Sequence, residues 1–254
     1  MPQLVKYYKG EIVMKILIIR HADPDYSIDS LTEKGWKEAE YLSERLCKTD
    51  IKDIYVSPLG RAKDTASLTL KKLGKTATEC DWLREFPLKI EKPNRSDGCA
   101  WDWLPSDWTT VDDFYGVDSW MDVECFKKST VKEEFGRVAN GIDEILANHG
   151  YVRKGRIYEV ENANNDTVAL FCHFGVECVI LSHLLNISPM QLWHGFCALP
   201  SSVTTVVTEE RRKGIAGFRT CGFGDLSHLY AKNEEPSFAA RFCECYDNED
   251  ERHD

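Results

Sequence analysis

The apolar positions of the chain alternate between short continuous runs and longer stretches with helical spacing. Lys15 to Arg20 is a continuous Ile/Leu run of strand length ended by a polar cluster, the pattern of a strand covered on both faces. It predicts a central parallel strand. Trp36, Ala39, Leu42 and Leu46 then recur at helical spacing. They predict a helix capped by Thr32 and running to about Lys48, with a Ser30-x-x-Glu33 capping box as the alternative start. Ile54 to Val56 reads as a second short strand stopped by Ser57-Pro58. A second helix follows over Gly60 to Leu73, with Ala62, Ala66, Leu70 and Leu73 on one face and Gly74 as its stop.

Further along, Val131, Phe135, Val138, Ile142, Ile145 and Leu146 outline the strongest amphipathic helix, ending near His149. Thr167 to Cys172 is strand-like, Val176 to Leu185 helical, and Val203 to Val207 β-rich with a partner strand near Ile215 to Thr220. Alternation of this kind predicts a parallel or mixed sheet between helices.

Three stretches stand outside the pattern. Residues 1–13 precede a second methionine, Met14, and read as an extension; residues 243–254 carry six acids against one Arg and read as a solvated acidic tail. Residues 87–126 interrupt the alternation with Trp101, Trp103, Trp108, Phe114, Tyr115, Trp120 and Phe126. A loop of that length in a compact domain is usually functional or carries short helices of its own. From Asp97 to Glu124 it holds eight acids and no Lys or Arg. Such a segment suits either a lid that disfavours polyanionic leaving groups and stacks on a planar one, or a small helical subdomain with a Trp core. The remainder, 14–242, is expected to form one domain.

Composition narrows the class. In 254 residues, 43% hydrophobic and 29% charged excludes collagenous, low-complexity and wholly disordered chains. The 32 Lys plus Arg against 42 Asp plus Glu leave a net charge of -10, which opposes nucleic acid or anionic lipid as a partner. An anionic ligand therefore needs a local basic pocket. No apolar run approaches the ~20 residues of a membrane helix, and the first ten residues lack a signal-peptide core, so a cytoplasmic location is expected. The ten cysteines include no C-x-x-C pair, and those in apolar segments, such as Cys172 and Cys178, read as reduced core residues.

Candidate chemistry gathers at predicted strand ends. Arg20-His21 closes the first strand, Arg61 in Ser57-Pro58-Leu59-Gly60-Arg61-Ala62 opens the second helix, and His173 in Phe171-Cys172-His173-Phe174-Gly175 joins another strand to another helix. Open α/β sheets bind ligands at such carboxyl ends, and a helix N-terminus favours an anion. Two Arg and two His can thus converge on one sheet edge.

In this order and context the motifs resemble the histidine phosphatase superfamily, also called the phosphoglycerate mutase-like family, over about Met14 to Val207 apart from the aromatic insert. Arg20-His21-Ala22 is similar to its Arg-His-Gly signature, Leu31-Thr32-Glu33-Lys34-Gly35 to its following helix start, and the Ser57 to Ala66 segment to its second-Arg motif. The resemblance implies a three-layer α/β/α sandwich with a mostly parallel central sheet. It also implies a metal-independent phosphomonoester hydrolase of the phosphatase branch, needing no cofactor and acting on a small phosphorylated substrate. His21 would be the nucleophile, Arg20, Arg61 and a protonated His173 would bind the phosphoryl group, and Glu85 would be the general acid.

The chain departs from the family in ways that bear on the substrate. Pro24 and Ser27 stand where mutases and many phosphatases place a Ser or Thr and then an Asn, and Phe86-Pro87-Leu88 replaces the common Trp-Glu-Gly after the acid. Asp23 and Asp25 either favour a protonated His21 and repel a second phosphate or form a solvated turn with Pro24. Glu79, Glu91, Asp97 and Asp102 are substitute acids, while His183, His194 and His228 read as packed or rim residues. A phosphoglycerate-type mutase and a catalytically silent phosphate-binding protein remain as alternative functions.

Overall fold

The computed structural model describes residues 13–92 and 98–237. The extension before Val13, the acidic tail and Asp97 lie outside the described residues. The strands are β1 (Lys15–Arg20), β2 (Pro24–Asp25), β3 (Ser30–Leu31), β4 (Asp53–Val56), β5 (Thr78–Glu79), β6 (Tyr151–Lys154), β7 (Ile157–Val160), β8 (Thr167–Cys172), β9 (Val203–Arg212) and β10 (Ile215–Asp225). The helices are α1 (Glu33–Leu46), α2 (Gly60–Leu73), α3 (Pro105–Trp108), α4 (Glu124–Lys127), α5 (Val131–Asn148), α6 (Phe174–Leu185), α7 (Pro189–Gly195) and α8 (Ser227–Tyr230).

One eight-stranded sheet has the order β5-β4-β8-β1-β9-β10-β7-β6. Strands β5, β4, β8 and β1 are parallel neighbours, whereas β9 and β7 oppose the strands beside them. β10 and β6 return to the direction of β1. The sheet is therefore mostly of one direction, and wholly parallel on the side that carries the motifs.

Alternation along β1 builds the three layers. Ile16 and Ile18 join a core with Val168, Leu170, α5, α6 and the insert, while Leu17 and Ile19 join Ala169, Phe171 and residues of α1 and α2 on the opposite face. Both faces are covered, which is why β1 and β8 read as continuous apolar runs. Thr32 caps α1 by accepting from the Gly35 amide at 3.0 Å, so the capping box at Ser30 is not used. Ser30 instead pairs in the short β2–β3 hairpin. Trp36 lies off the buried stripe of α1 and is 39% exposed.

The insert is a set of short helical turns around its own aromatic cluster. Trp103, Phe114, Trp120 and Phe126 are buried, with edge-on contacts at 5.2 Å (Trp103–Phe114), 5.8 Å (Phe114–Phe126) and 5.1 Å (Trp120–Phe126). Trp120 also meets Trp193 of α7 at 5.8 Å, and the Ser188 hydroxyl donates to the Phe114 carbonyl. The Trp-core expectation thus describes this segment, and its core is continuous with that of the main sheet. An open cleft of about 430 Å³ on the insert, lined by Lys92, Trp103, Asp107, Phe114, Cys125 and Lys128, touches none of the motif residues. Among the described residues no helix is long and apolar enough to cross a membrane, and eight cysteines are free.

Candidate active site

Parallel register places the motifs side by side. Arg20 pairs with Cys172 across β1 and β8, and Val56 with Phe171 across β4 and β8. The His21 amide donates to the Cys172 carbonyl at 3.0 Å and the Ser57 amide to Phe171 at 2.9 Å, extending both ladders beyond the strands. His21 and His173 therefore leave neighbouring strands together, with ring centroids 5.1 Å apart. Arg20, His21 and His173 are all buried.

The His21 ring has a defined tautomer. Its Nδ1 lies 2.8 Å from the Ala22 carbonyl, which can only accept, so Nδ1 carries the proton and the lone pair of the neutral ring is on Nε2. Burial pushes its pKa well below the ordinary value, and Arg20 and Arg61 push in the same direction. The two readings of Asp23 and Asp25, a charge that favours protonated His21 or a solvated turn, meet a third arrangement. Asp23 accepts from the Thr32 hydroxyl at 2.6 Å and from Ser237, and Asp25 accepts from Ser27, so both carboxylates are engaged elsewhere. Asp23 is accordingly a fixed anchor rather than part of a solvated turn.

His173 has Nε2 2.8 Å from the Ser57 hydroxyl, while its buried Nδ1 has no partner. Burial lowers its pKa well below normal, followed by His21, Arg61 and Arg20. This direction opposes a proton on the ring.

Arg61 lies in the first turn of α2 and is mostly buried. Its Nη1 donates to Asp29 Oδ1 at 2.6 Å, and its guanidinium lies 5.3 Å from the centre of the Tyr26 ring. Asp29 also accepts from the Gly60 amide at 2.7 Å and adopts the left-handed φ of 49°. A Cβ on Gly60 would come within 2.0 Å of the Asp29 carbonyl oxygen, so glycine is required for the hairpin to close on α2. Arg20 Nη1 donates to the Ala198 carbonyl. The buried Nε of both Arg20 and Arg61 has no hydrogen-bond partner.

Glu85 sits against the N-terminus of α6. Its carboxylate accepts from the amides of Phe86 at 2.8 Å, Val176 at 3.1 Å and Gly175 at 3.4 Å. Burial raises its pKa, and these bonds together with Arg20 oppose the rise without cancelling it. The residue as a whole keeps partial solvent exposure although protein surrounds its carboxyl.

The other acids and histidines lie outside this cluster. Glu79 pairs with Lys63 at 2.6 Å, Glu91 lines the separate cleft, and Asp102 holds a left-handed φ of 62° in the insert. His183 pairs with Asp143 at 2.9 Å, and His228 contacts Ser201 at 3.1 Å. His194 donates to the Met190 carbonyl at 2.6 Å, accepts from the Trp103 amide at 3.1 Å and stacks on Trp108, which ties the insert to α7. Among the described residues, no group of three His, Cys, Asp or Glu could hold a metal ion.

Two buried carboxyls were not singled out by sequence reasoning. Glu177 follows His173 by one helical turn, and Glu38 accepts from the amides of Asp23 and Ser237; burial raises each to about 7. For Glu177 the signal was an acid inside the apolar Val176 to Leu185 run. A carboxyl with a raised folded pKa takes up protons on folding. Its stability contribution is full below the unfolded value near 4 and is lost as pH rises to about 7. The unfolding free energy of the parent relative to Glu177→Gln, from urea titrations, is therefore expected to fall between about pH 4 and pH 8 by up to about 3 kcal/mol, a comparison in which the opposite contribution of buried histidines with lowered pKa cancels. Parallel profiles for the two proteins would show that Glu177 does not titrate there.

Comparison with known proteins agrees with the geometry. A 2,3-bisphosphoglycerate-dependent phosphoglycerate mutase of Thermoplasma acidophilum is 37% identical over 86 residues, 30% of this chain and 43% of that protein. The match thus spans less than half of that relative. A phosphoserine phosphatase variant of Entamoeba histolytica in complex with phosphoserine has the same fold, with TM-score 0.56, 18% identity and coverage of 85% of this chain and 99% of that one. So does mycobacterial glucosyl-3-phosphoglycerate phosphatase, with TM-score 0.55, 18% identity and coverage of 84% and 99%. The profile of the histidine phosphatase superfamily, branch 1, matches residues 16–220, a span containing every residue of the cluster, and the chain belongs to that superfamily.

Proposed function

We propose that the protein is a metal-independent phosphomonoester hydrolase that acts on a small phosphorylated substrate through a phosphohistidine. The observation that carries this reading is the His21 tautomer, with the Nε2 lone pair free in a pocket where two guanidinium Nε groups and His173 Nδ1 lack partners. Nε2 attacks phosphorus as the bond from phosphorus to the ester oxygen breaks, and Glu85 gives its proton to the departing oxygen. Glu85, now a carboxylate, takes a proton from water. The water oxygen then attacks phosphorus, and the P–N bond returns its electrons to Nε2. Arg20 and Arg61 stabilise the charge on the equatorial oxygens in both steps.

Release of inorganic phosphate from a generic aryl phosphate in excess chelator tests the reading, and absence of release would leave a phosphate-binding protein. Phosphoryl transfer to a monophosphoglycerate would instead identify a mutase, the reading favoured by the partial match to one. Arg61→Ala is expected to lower kcat by about 10²- to 10³-fold with a smaller effect on KM, because the lost hydrogen bonds strengthen in the transition state. Arg61→Lys should recover little of this, since the planar fork is lost. Equal activity of the Lys variant and the parent would reduce Arg61 to a surface charge.

A further inference from the structure

The leaving-group side of the pocket is marked by Gly175. A Cβ built there would come within 2.6 Å of Glu85 Oε1 and 2.7 Å of the six-membered ring of Trp101. The proton donor and this indole therefore bracket one backbone position, two residues beyond His173. Trp101 is half-buried, its ring tilted by 47° against Trp193 at a centroid distance of 6.0 Å. Trp193 in turn donates its indole N–H to the Gly175 carbonyl at 3.1 Å. The Trp101 backbone is held as well: its carbonyl accepts from the buried Lys92 ammonium at 2.8 Å and from the Cys99 thiol at 2.9 Å. In-line displacement places the leaving group opposite the nucleophile and beside the acid.

We propose that Trp101 is the specificity-determining residue of this pocket, forming the wall against which the leaving group packs. The substrate class it selects is phosphate monoesters of uncharged, planar aromatic alcohols. Lys92 directs its ammonium to the carbonyls of Trp101 and Asp102, so a carboxylate or second phosphate on the leaving group gains no counter-charge from it, whereas an aromatic ring gains apolar burial and stacking on Trp101.

This inference rests on the hydrolase reading for its direction, and its test separates the two. Benzyl phosphate and 3-phosphoglycerate are both alkyl esters, so they compare the wall at similar leaving-group chemistry. Hydrolysis by the parent should favour benzyl phosphate by at least tenfold in kcat/KM. Trp101→Leu should lose about tenfold on benzyl phosphate and less than threefold on 3-phosphoglycerate, with Trp101→Phe retaining most of the preference. Competition by inorganic phosphate should be unchanged in both variants, showing an intact phosphate pocket. Calorimetric binding of benzylphosphonate against 3-phosphonopropionate gives the same comparison without turnover. Trp101-dependent preference for benzylphosphonate with no hydrolysis would sustain the inference and overturn the hydrolase reading. Hydrolysis with equal losses on both esters in Trp101→Leu, or a parent preference for 3-phosphoglycerate, would overturn the inference and leave the hydrolase standing.

Discussion

His21→Ala is expected to abolish formation of a phosphoenzyme and to lower turnover by at least about 10⁴-fold, the scale seen when a covalent nucleophile is removed. The fold should survive almost unchanged, because the only side-chain hydrogen bond lost is the one to the Ala22 carbonyl, worth about 1 kcal/mol. Brief incubation with a ³²P-labelled ester followed by denaturation should leave an acid-labile, alkali-stable label on the parent and none on the variant. A circular dichroism melt of both proteins guards against misfolding. Acid-labile labelling at the parental level in His21→Ala would place the nucleophile elsewhere.

The second large effect is expected at Glu85, where the proposed catalytic role and the structural role of one side chain can be separated by substitution. The carboxylate serves α6 as an N-terminal cap, accepting from Val176 and Gly175. Glu85→Gln keeps an acceptor for those amides but cannot pass a proton; Glu85→Ala loses both functions. The Gln variant should melt like the parent, and the Ala variant should be destabilised by about 1 kcal/mol. In turnover, Glu85→Gln should lose about 10²- to 10⁴-fold on alkyl esters, whose leaving oxygen needs the proton, and less in the phosphorylation of His21 by aryl esters. Hydrolysis of the phosphoenzyme should slow for both classes, giving a burst followed by slow release.

The pH profile follows from the same two residues. In the proposed reaction attack requires neutral His21, whose pKa is lowered by burial and by Arg20 and Arg61, so the acid limb should lie below the ordinary histidine range. Ester cleavage requires protonated Glu85, whose pKa is raised by burial, so the alkaline limb should lie above the ordinary carboxyl range. In Glu85→Gln the alkaline limb for alkyl esters should disappear. Its persistence there, together with unchanged dephosphorylation, would direct attention to an acid of the insert, with Asp102 the first to test.

The motif-bearing elements were legible because burial on both faces and strand ends leave a strong imprint on residue choice. β1, α2 and β8 have the limits expected from their apolar runs, Gly74 and the polar residues that stop them. The β6–β7 hairpin was missed because Tyr151-Val152-Arg153-Lys154 and Ile157-Tyr158-Glu159-Val160 are short and charged, as suits the edge of a sheet, and carry little periodicity. The resemblance identified His21, Arg61 and His173 as neighbours, but their protonation could not be read from chain order. The pKa of His21 depends on where Arg20 and Arg61 point, and that of Glu85 on the balance of burial against three amides from two segments. The two readings of Asp23 and Asp25 could not be separated in the sequence for the same reason. Sequence proximity placed their charge near His21, while Thr32 and Ser237 hold Asp23 by its side chain.

The position of β1 in the sheet also bears on synthesis. Lys15 pairs on one side with Thr167 and on the other with Val207, so this early strand has no sheet partner until most of the chain exists. Contacts of such sequence separation are slow to form, because a long loop must close before pairing rewards it. On the ribosome the Ile/Leu run of β1 therefore waits as an exposed apolar segment while α1 and α2 can already coil locally. Residues 15–20 are thus a target for a chaperone that binds extended apolar peptides until β8 and β9 are available to pair with them.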